Sequence, residues 1–193
     1  MRYKLGDITK IHFGPYLKGA DTGSVKYLLA SHFDKSFRPS KFELSYIELD
    51  EKSNGELLQP NDVILAGKGQ RTFAWAYDED MGPCVPSSLF FVLHTNPDEV
   101  NGKYLAHYLN TEKVQHQLKL IGGGLTVPSI PKKELQKISI QIPSINEQNK
   151  FVELAELLEE DVALTETLLS KKKAMKKTLI NKMITNQIQK DKT

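Results

Sequence analysis

The feature that most constrains the fold of this chain is a long stretch of sequence without helix-breaking residues. Beyond Pro143 run about 45 residues that contain neither glycine nor proline. Ser144 is a suitable N-cap for a helix there, and Glu147, three residues later, completes a capping-box pattern. At 1.5 Å per residue such a helix is roughly 65 Å long, more than a small domain can cover. We therefore predict one long helix and a domain boundary between residues 1–143 and 144–193.

The apolar residues of this helix have the spacing of a coiled-coil seam. They recur mostly at steps of three and four, as in helices that pack side by side. The seam residues are Phe151, Leu154, Leu158, Val162, Thr165, Leu168, Met175, Leu179 and Met183. We predict that they form a dimerisation surface. The alternative is an amphipathic helix packed on its own domain, which the length of the helix disfavours.

Charge is segregated along the same helix. The acids are Glu153, Glu156, Glu159, Glu160, Asp161 and Glu166, and the lysines that follow them are Lys171, Lys172, Lys173, Lys176 and Lys177. Antiparallel pairing of two copies sets acids against lysines, whereas parallel pairing sets like charges together. The distribution also matches the helix dipole, so it is compatible with both explanations.

The N-terminal part of the chain is predicted to be rich in β-structure. Up to about residue 95, short runs of β-favouring residues alternate with turn-forming sequences. These runs are residues 8–13, 25–30, 42–47, 63–66, 73–77 and 89–93. Ile138, Ile140 and Ile142 alternate with polar residues and predict a further strand. The predicted fold class is α+β: a β-rich domain with short helices, followed by one long C-terminal coiled-coil helix.

Short helices are predicted between the last two of these strands. Asn96-Pro97-Asp98 is typical of a helix start, with proline in the first turn. Thr111 is a suitable cap for a second helix, which the glycines at 122–124 are expected to end through a left-handed cap. Residues 130–135 predict a further helical turn.

Composition narrows the class of protein. No apolar run approaches the roughly 18–20 residues that a membrane span needs, and residues 1–7 lack the apolar segment of a signal peptide. A single cysteine, Cys84, forms neither an internal disulfide nor a zinc cluster, so we expect a reducing, cytoplasmic setting. The formal net charge is only +2, so the overall charge does not indicate binding to nucleic acid.

No sequence pattern of a catalytic site is found. Gly67-Lys68-Gly69 lacks the first glycine and the hydroxyl residue of a phosphate-binding P-loop. Ala66 stands where a metal-dependent nuclease with Asp62 and Lys68 would carry a glutamate. The histidines are scattered, without carboxylates at metal-ligand spacing. We therefore predict a chain with no catalytic residues, no metal ligands and no cofactor of its own.

Three polar, basic loops are the remaining candidates for a function. They are residues 35–41, residues 67–72 and the stretch from the glycines at 122–124 to Lys133. Lysine and arginine neutralise phosphates, and arginine, lysine and glutamine also bond to base edges. Each loop alone is compatible with a solvated turn, whereas three on one scaffold favour a DNA-binding surface. The candidate DNA-binding residues are Arg38, Lys41, Lys68, Gln70, Arg71, Thr72, Lys132 and Lys133.

The C-terminal half carries a family resemblance. A glycine-rich segment leads into a short helix, a strand that ends in Ile140-Gln141-Ile142-Pro143, the pair Glu147-Gln148 and the long helix. This order resembles the conserved region of type I restriction–modification specificity subunits. Weaker matches to the family's recognition domain are Leu5-Gly6-Asp7, Asn61-Asp62-Val63-Ile64-Leu65, where glycine is commoner at position 61, and the strand after Ser87-Ser88.

The resemblance implies a subunit that reads double-stranded DNA and leaves chemistry to its partners. Those partners are DNA adenine methyltransferase subunits, which bind S-adenosylmethionine, and a separate motor–nuclease subunit. Family members usually carry two recognition domains and two long helices, whereas this chain has one of each. It therefore resembles a half-length subunit, and a homodimer with antiparallel helices is expected to read an interrupted palindrome. The alternative is a non-catalytic interaction or inhibitory module that binds methyltransferase subunits without reading DNA.

Overall fold

The computed structural model describes residues 1–39, 45–48, 54–123 and 128–190. The chain divides into two compact units, Met1–Asn149 and Lys150–Thr193. The strands are β1 (Arg2–Lys4), β2 (Thr9–Phe13), β3 (Val25–Leu28), β4 (Ser45–Ile47), β5 (Val63–Ala66), β6 (Ala74–Ala76), β7 (Cys84–Pro86), β8 (Phe90–Thr95) and β9 (Ser139–Gln141). The helices are α1 (Leu5–Ile8), α2 (Gly102–Leu109), α3 (Glu112–Gly122), α4 (Lys132–Leu135) and α5 (Ile145–Lys190). The predicted fold class is confirmed.

The central sheet has the strand order β2-β8-β5-β6, with antiparallel neighbours throughout. Alternate side chains of a strand point to opposite faces, so each strand serves two cores. One core joins Leu65 and Leu93 to helix residues such as Leu105 and Leu118. On the opposite face of the sheet, Ile64 and Val92 pack with aromatic residues in the second core. Burial on both faces explains why β5 has four consecutive apolar residues rather than an alternating pattern.

Two smaller sheets complete the first unit. In the order β4-β3-β7, β3 pairs antiparallel with β4 and parallel with β7. In the other sheet, β1 pairs antiparallel with β9, so Tyr3 lies opposite Ile140. The Leu5 amide also donates to the Ile138 carbonyl at 2.8 Å. These bonds tie the first residues of the unit to its last strand.

The predicted strands are present, β5 with the predicted bounds and the others with shifted bounds, and two of the described strands were not predicted. All three residues of β1 are exposed, so it has no apolar pattern to detect. The strand β7 contains Cys84 and Pro86, and proline disfavours a strand by removing a donor. Residues 42–44 of one predicted run lie outside the described residues.

The predicted helix start at Asn96-Pro97-Asp98 is wrong. The Asn96 carbonyl accepts the amides of Glu99 and Val100, which closes a turn. The helix begins at Gly102, and the Asn101 side chain caps it by accepting the amides of Lys103 and Tyr104 at 2.9 and 3.2 Å. Asparagine is a favoured N-cap, and proline is favoured in the first turn of a helix. The local sequence is therefore compatible with a start at either place.

The helix caps show one further difference. The helix α3 follows Thr111 as predicted and ends at Gly122, but Gly123 has φ −73° and ψ 154°, so the left-handed cap predicted there is wrong at this residue. The capping-box prediction holds for the Glu147 carboxylate, which accepts the Ser144 amide at 2.9 Å. The Ser144 hydroxyl donates to the same carboxylate at 2.6 Å.

Candidate nucleic-acid interface

One end of the central sheet brings separate connections of the chain together. There β2 ends at Phe13, β5 ends at Ala66 and β8 begins at Phe90, because both pairings are antiparallel. The Gly14 amide donates to the Phe90 carbonyl at 3.1 Å. The Gly67 amide donates to the carbonyl of Leu89, the residue before Phe90, at 3.0 Å. The connection after β2 and the β5–β6 loop therefore flank the same short segment.

The β5–β6 loop, residues 67–73, also contacts the segment before α4. The Gly69 amide donates to the Pro128 carbonyl at 2.9 Å, and the Ile130 amide donates to the Gly67 carbonyl at 2.8 Å. Lys68 and Ser129 form an isolated antiparallel bridge between these bonds. Lys132 and Lys133 follow in the first turn of α4, and both are exposed. The predicted loop 67–72 thus lies beside residues 128–133, the described end of the predicted stretch that runs to Lys133.

Arg71 connects this pair to the loop after Phe33. Its guanidinium donates to the Phe33 carbonyl at 2.9 Å and to the Asp34 carbonyl, and it lies 5.3 Å from the centre of the Phe73 ring. The Asp34 carboxylate accepts the amides of Ser36 and Arg38 at 2.8 and 2.9 Å, which folds this loop into a tight turn. The described residues of the predicted loop 35–41 therefore lie at the same surface.

We call this surface the loop end of the sheet: residues 14–18, 33–38, 67–73 and 128–133. The structure places Arg38, Gln70, Arg71, Lys132 and Lys133 there as exposed side chains, with Lys68 and Thr72 half-buried. Lys41 lies outside the described residues. Contact between any of these residues and DNA stays a prediction.

The loop end also presents aromatic residues that were not predicted as functional. The Lys68 ammonium lies 4.6 Å from the centre of the Phe13 ring, which is 38% exposed. Tyr16, in the next connection, is 89% exposed. The signal for it was present in Gly14-Pro15-Tyr16, a turn sequence that carries a large aromatic residue. Basic and aromatic side chains on one surface are typical of nucleic-acid binding.

Asp62, which stood in two failed catalytic patterns, has a structural environment. Its buried carboxylate lies 2.6 Å from the His94 Nδ1 atom and accepts the Gln59 amide at 2.8 Å. The hydrogen bond to Asp62 raises the pKa of His94. The His12 ring stacks on His94 at 4.9 Å, and burial together with the charge of His94 lowers the pKa of His12. Across the described ranges, no group of three or more histidine, cysteine or acidic residues is placed to hold a metal ion.

Cys84 is packed in one of the cores of the first unit. The side chain is buried, and its thiol donates to the Gly82 carbonyl at 3.1 Å. Burial raises the pKa of the thiol to about 11, so little reactive thiolate is present at neutral pH.

Gln148 joins the start of α5 to the rest of the first unit. Its fully buried amide accepts the Asn101 backbone amide at 2.9 Å and donates to the carbonyls of Glu99 and Pro143 at 2.9 and 3.0 Å. Glu147 caps the helix, and Gln148 bonds to the loop that precedes α2. The Glu-Gln pair thus has two distinct structural roles.

In the second unit, the predicted seam residues lie on α5 as solvent-exposed side chains. The apolar ones range from 45% exposed at Phe151 to 69% at Met183. Further exposed apolar residues widen this surface beyond the predicted seam: Leu157, Leu164, Leu169, Ile180 and Ile184. None of the described helices is long and apolar enough to cross a membrane.

A family model described as the type I restriction modification DNA specificity domain matches residues 1–174. The chain belongs to this family, as the sequence resemblance indicated. A search of curated proteins found no match.

Several solved structures share the fold. The S subunit of the type I restriction-modification system from M. genitalium is 13% identical, with 83% of this chain and 39% of that chain covered and a TM-score of 0.59. A chain from a structure of the assembly and conformational transition of the type I R-M system is 18% identical, with 93% and 43% covered and a TM-score of 0.65. The HsdS subunit from Thermoanaerobacter tengcongensis is 17% identical, with 84% and 38% covered and a TM-score of 0.56. This chain spans less than half the length of each.

Proposed function

We propose that this chain reads a DNA sequence as the specificity subunit of a type I restriction–modification methyltransferase. The observation that carries this proposal is the convergence of three polar, basic loops at one end of a sheet buried on both faces. Loops held by a rigid scaffold are suited to recognition, because little backbone conformational entropy is lost on binding. Lysines there would bind phosphates, whereas Gln70 and Arg38 would reach base edges.

The proposal extends to a homodimer formed through α5. Exposed apolar residues recur along more than thirty residues of this helix, from Phe151 to Ile184. A continuous exposed apolar surface of this kind is typical of protein–protein interfaces, which supports a partner for α5. A second copy in antiparallel orientation would cover it and would set the acids near Glu156 against the lysines near Lys173. Two copies would then present two recognition units to two half-sites.

Catalysis is assigned to partner subunits. By family resemblance, these are methyltransferase subunits that bind S-adenosylmethionine and methylate adenine, with a motor–nuclease subunit that cuts DNA. This chain would hold no cofactor and would contribute target choice. The similarity to a chain from a type I assembly supports partners of this kind, since that structure concerns the assembly of the system.

Binding of the full chain to a pool of random 40-base-pair duplexes tests the proposal, with and without the methyltransferase subunit. We expect binding that weakens steeply with salt, as phosphate contacts require. The Lys132→Ala/Lys133→Ala variant should bind more weakly than wild type, while Lys113→Ala, at the far end of α3, serves as the matched control. Binding of the methyltransferase subunit without any affinity for DNA would contradict the proposal and favour the interaction module.

A further inference from the structure

Tyr16 combines an exposed side chain with a firmly held backbone. Of the large apolar side chains in the described ranges, it is the most exposed, at 89%. On either side of it, the buried Tyr27 phenol donates to the Pro15 carbonyl and accepts the Leu17 amide, both at 3.0 Å. The ring is therefore presented to solvent from a segment that is bonded to the core before and after it.

The rest of this connection is also fixed. A Cβ atom on Gly14 would lie 2.3 Å from the Pro86 carbonyl oxygen, so the backbone packs directly against the segment before β8. At the other side, Ala20 exchanges both backbone hydrogen bonds with Tyr46 at 2.8 Å. A fixed backbone keeps Tyr16 in position when its ring meets a ligand, whereas a mobile loop would move away.

The surroundings of Tyr16 are cationic and aromatic. The preceding strand ends in Phe13, under the Lys68 ammonium, and the exposed Lys18 follows two residues later. The positive charge of Lys18 and Lys68 favours a polyanion as the ligand of this surface. An exposed aromatic ring beside two lysines suits a duplex, which offers stacked bases next to phosphates.

We propose that Tyr16 inserts its ring between neighbouring base pairs of duplex DNA while Lys18 and Lys68 hold the adjacent phosphates. This inference rests on the proposed DNA-reading function. Because the backbone on both sides of Tyr16 is already fixed, binding orders only the side chain, and little of the stacking free energy is spent on ordering the loop. Insertion would unstack one base step and kink the duplex, which makes the site sensitive to the flexibility of that step.

The test uses the full chain and a pool of random 40-base-pair duplexes in which 2-aminopurine replaces some adenines. Wild type should raise the 2-aminopurine fluorescence, because unstacking relieves quenching. Tyr16→Ala should abolish that rise and weaken binding, by less than the roughly 5- to 150-fold that one base–aromatic stack provides, because insertion also breaks a base–base stack. Tyr16→Phe keeps the ring and should behave as wild type within about twofold. The salt dependence should be unchanged in both, since no phosphate contact is lost.

Two controls make the result specific. Tyr3→Ala removes a partly exposed tyrosine from β1, in another sheet, and should change neither affinity nor fluorescence. Equal melting temperatures for wild type and Tyr16→Ala would show that the fold is intact, as expected for a ring in solvent. Tyr27→Phe leaves the ring of Tyr16 in place but removes the bonds that hold its loop, so the fluorescence rise should diminish.

The outcomes separate this inference from the function on which it rests. If Tyr16→Ala binds and unstacks DNA as wild type does while Lys132→Ala/Lys133→Ala loses affinity, insertion is wrong and the DNA-reading function stands. If wild type binds DNA without any rise in fluorescence, insertion is also wrong. If wild type does not bind duplex DNA at all, both proposals fail.

Discussion

At the scale of the residue, Lys68 and Arg71 differ although both belong to the β5–β6 loop. Lys68 lies over an exposed ring, whereas Arg71 bonds to two carbonyls of the neighbouring loop. We expect Lys68→Ala to weaken DNA binding and to lower the salt slope by about one, with an unchanged melting temperature. Arg71→Ala removes the bonds to the Phe33 and Asp34 carbonyls, so it should lower the melting temperature and weaken DNA binding by loosening the neighbouring loop. Unchanged DNA affinity in both variants would exclude this loop from the interface.

The buried amide of Gln148 gives a stability prediction. Gln148→Ala leaves the Asn101 amide and the Glu99 and Pro143 carbonyls without this partner, so we expect a loss of about 3 kcal/mol in the free energy of unfolding. Gln117→Ala, at an exposed position of α3, is the matched control and should stay within about 0.5 kcal/mol of wild type. Urea denaturation measures both. A Gln148→Ala variant as stable as the control would show that these bonds contribute little.

The His94–Asp62 pair predicts a pH-dependent contribution to stability. Because the pKa of His94 is raised in the folded state, the pair stabilises most below pH 6.5, the ordinary value, and this stabilisation falls as pH rises through the raised pKa. Asp62→Asn should therefore cost more stability at pH 5.5 than at pH 8.5. Other charges also shift these pKa values: Glu56 and Lys10 act on His94, and His94, Glu56, Asp62 and Lys132 act on His12. The pH dependence of wild-type stability therefore does not isolate the His94–Asp62 pair.

A double-mutant cycle isolates it. In a His94→Gln background, the cost of Asp62→Asn should lose most of its pH dependence, because the titrating partner is gone. Urea denaturation at both pH values provides the four free energies at each pH. A cost of Asp62→Asn that is equal at pH 5.5 and 8.5 in the wild-type background would contradict the assignment.

At the scale of the element, α5 is the structure most readily predicted from sequence. The absence of glycine and proline, the cap at Ser144 and the pair Glu147-Gln148 are all local signals. The loop end was predictable only in its parts. Its assembly depends on β8 pairing with both β2 and β5, a non-local arrangement that periodicity does not reveal. Tyr16 was missed because the turn sequence Gly14-Pro15 shows an aromatic residue on a connection but not that its backbone is held; the bonds from Tyr27 on both sides of it are non-local.

The seam of α5 predicts an oligomeric state. Leu158→Asp together with Leu168→Asp places two charges among exposed apolar residues, and we expect monomers in sedimentation experiments with the first unit still folded. Glu159→Asp is the conservative control on the same helix and should leave the dimer intact. A dimer that survives the double substitution would place the contact elsewhere.

In the proposed assembly, two identical chains read two inverted half-sites. A two-fold axis presents the same surface twice, so an antiparallel helix pair would carry one recognition unit at each of its two ends. Substitution of Lys172, Lys173, Lys176 and Lys177 by glutamate should weaken self-pairing, since acids would then face acids. Pairing with a second chain whose helix acids are changed to lysine should restore it.

The most direct measurement is the methylated motif itself, mapped in cells that contain the methyltransferase subunit and this chain as the only specificity subunit. The account predicts an interrupted palindrome, two inverted copies of one short sequence around a fixed unread spacer, and its loss when this chain is absent. An asymmetric bipartite motif, or a methylation pattern that does not depend on this chain, would contradict it.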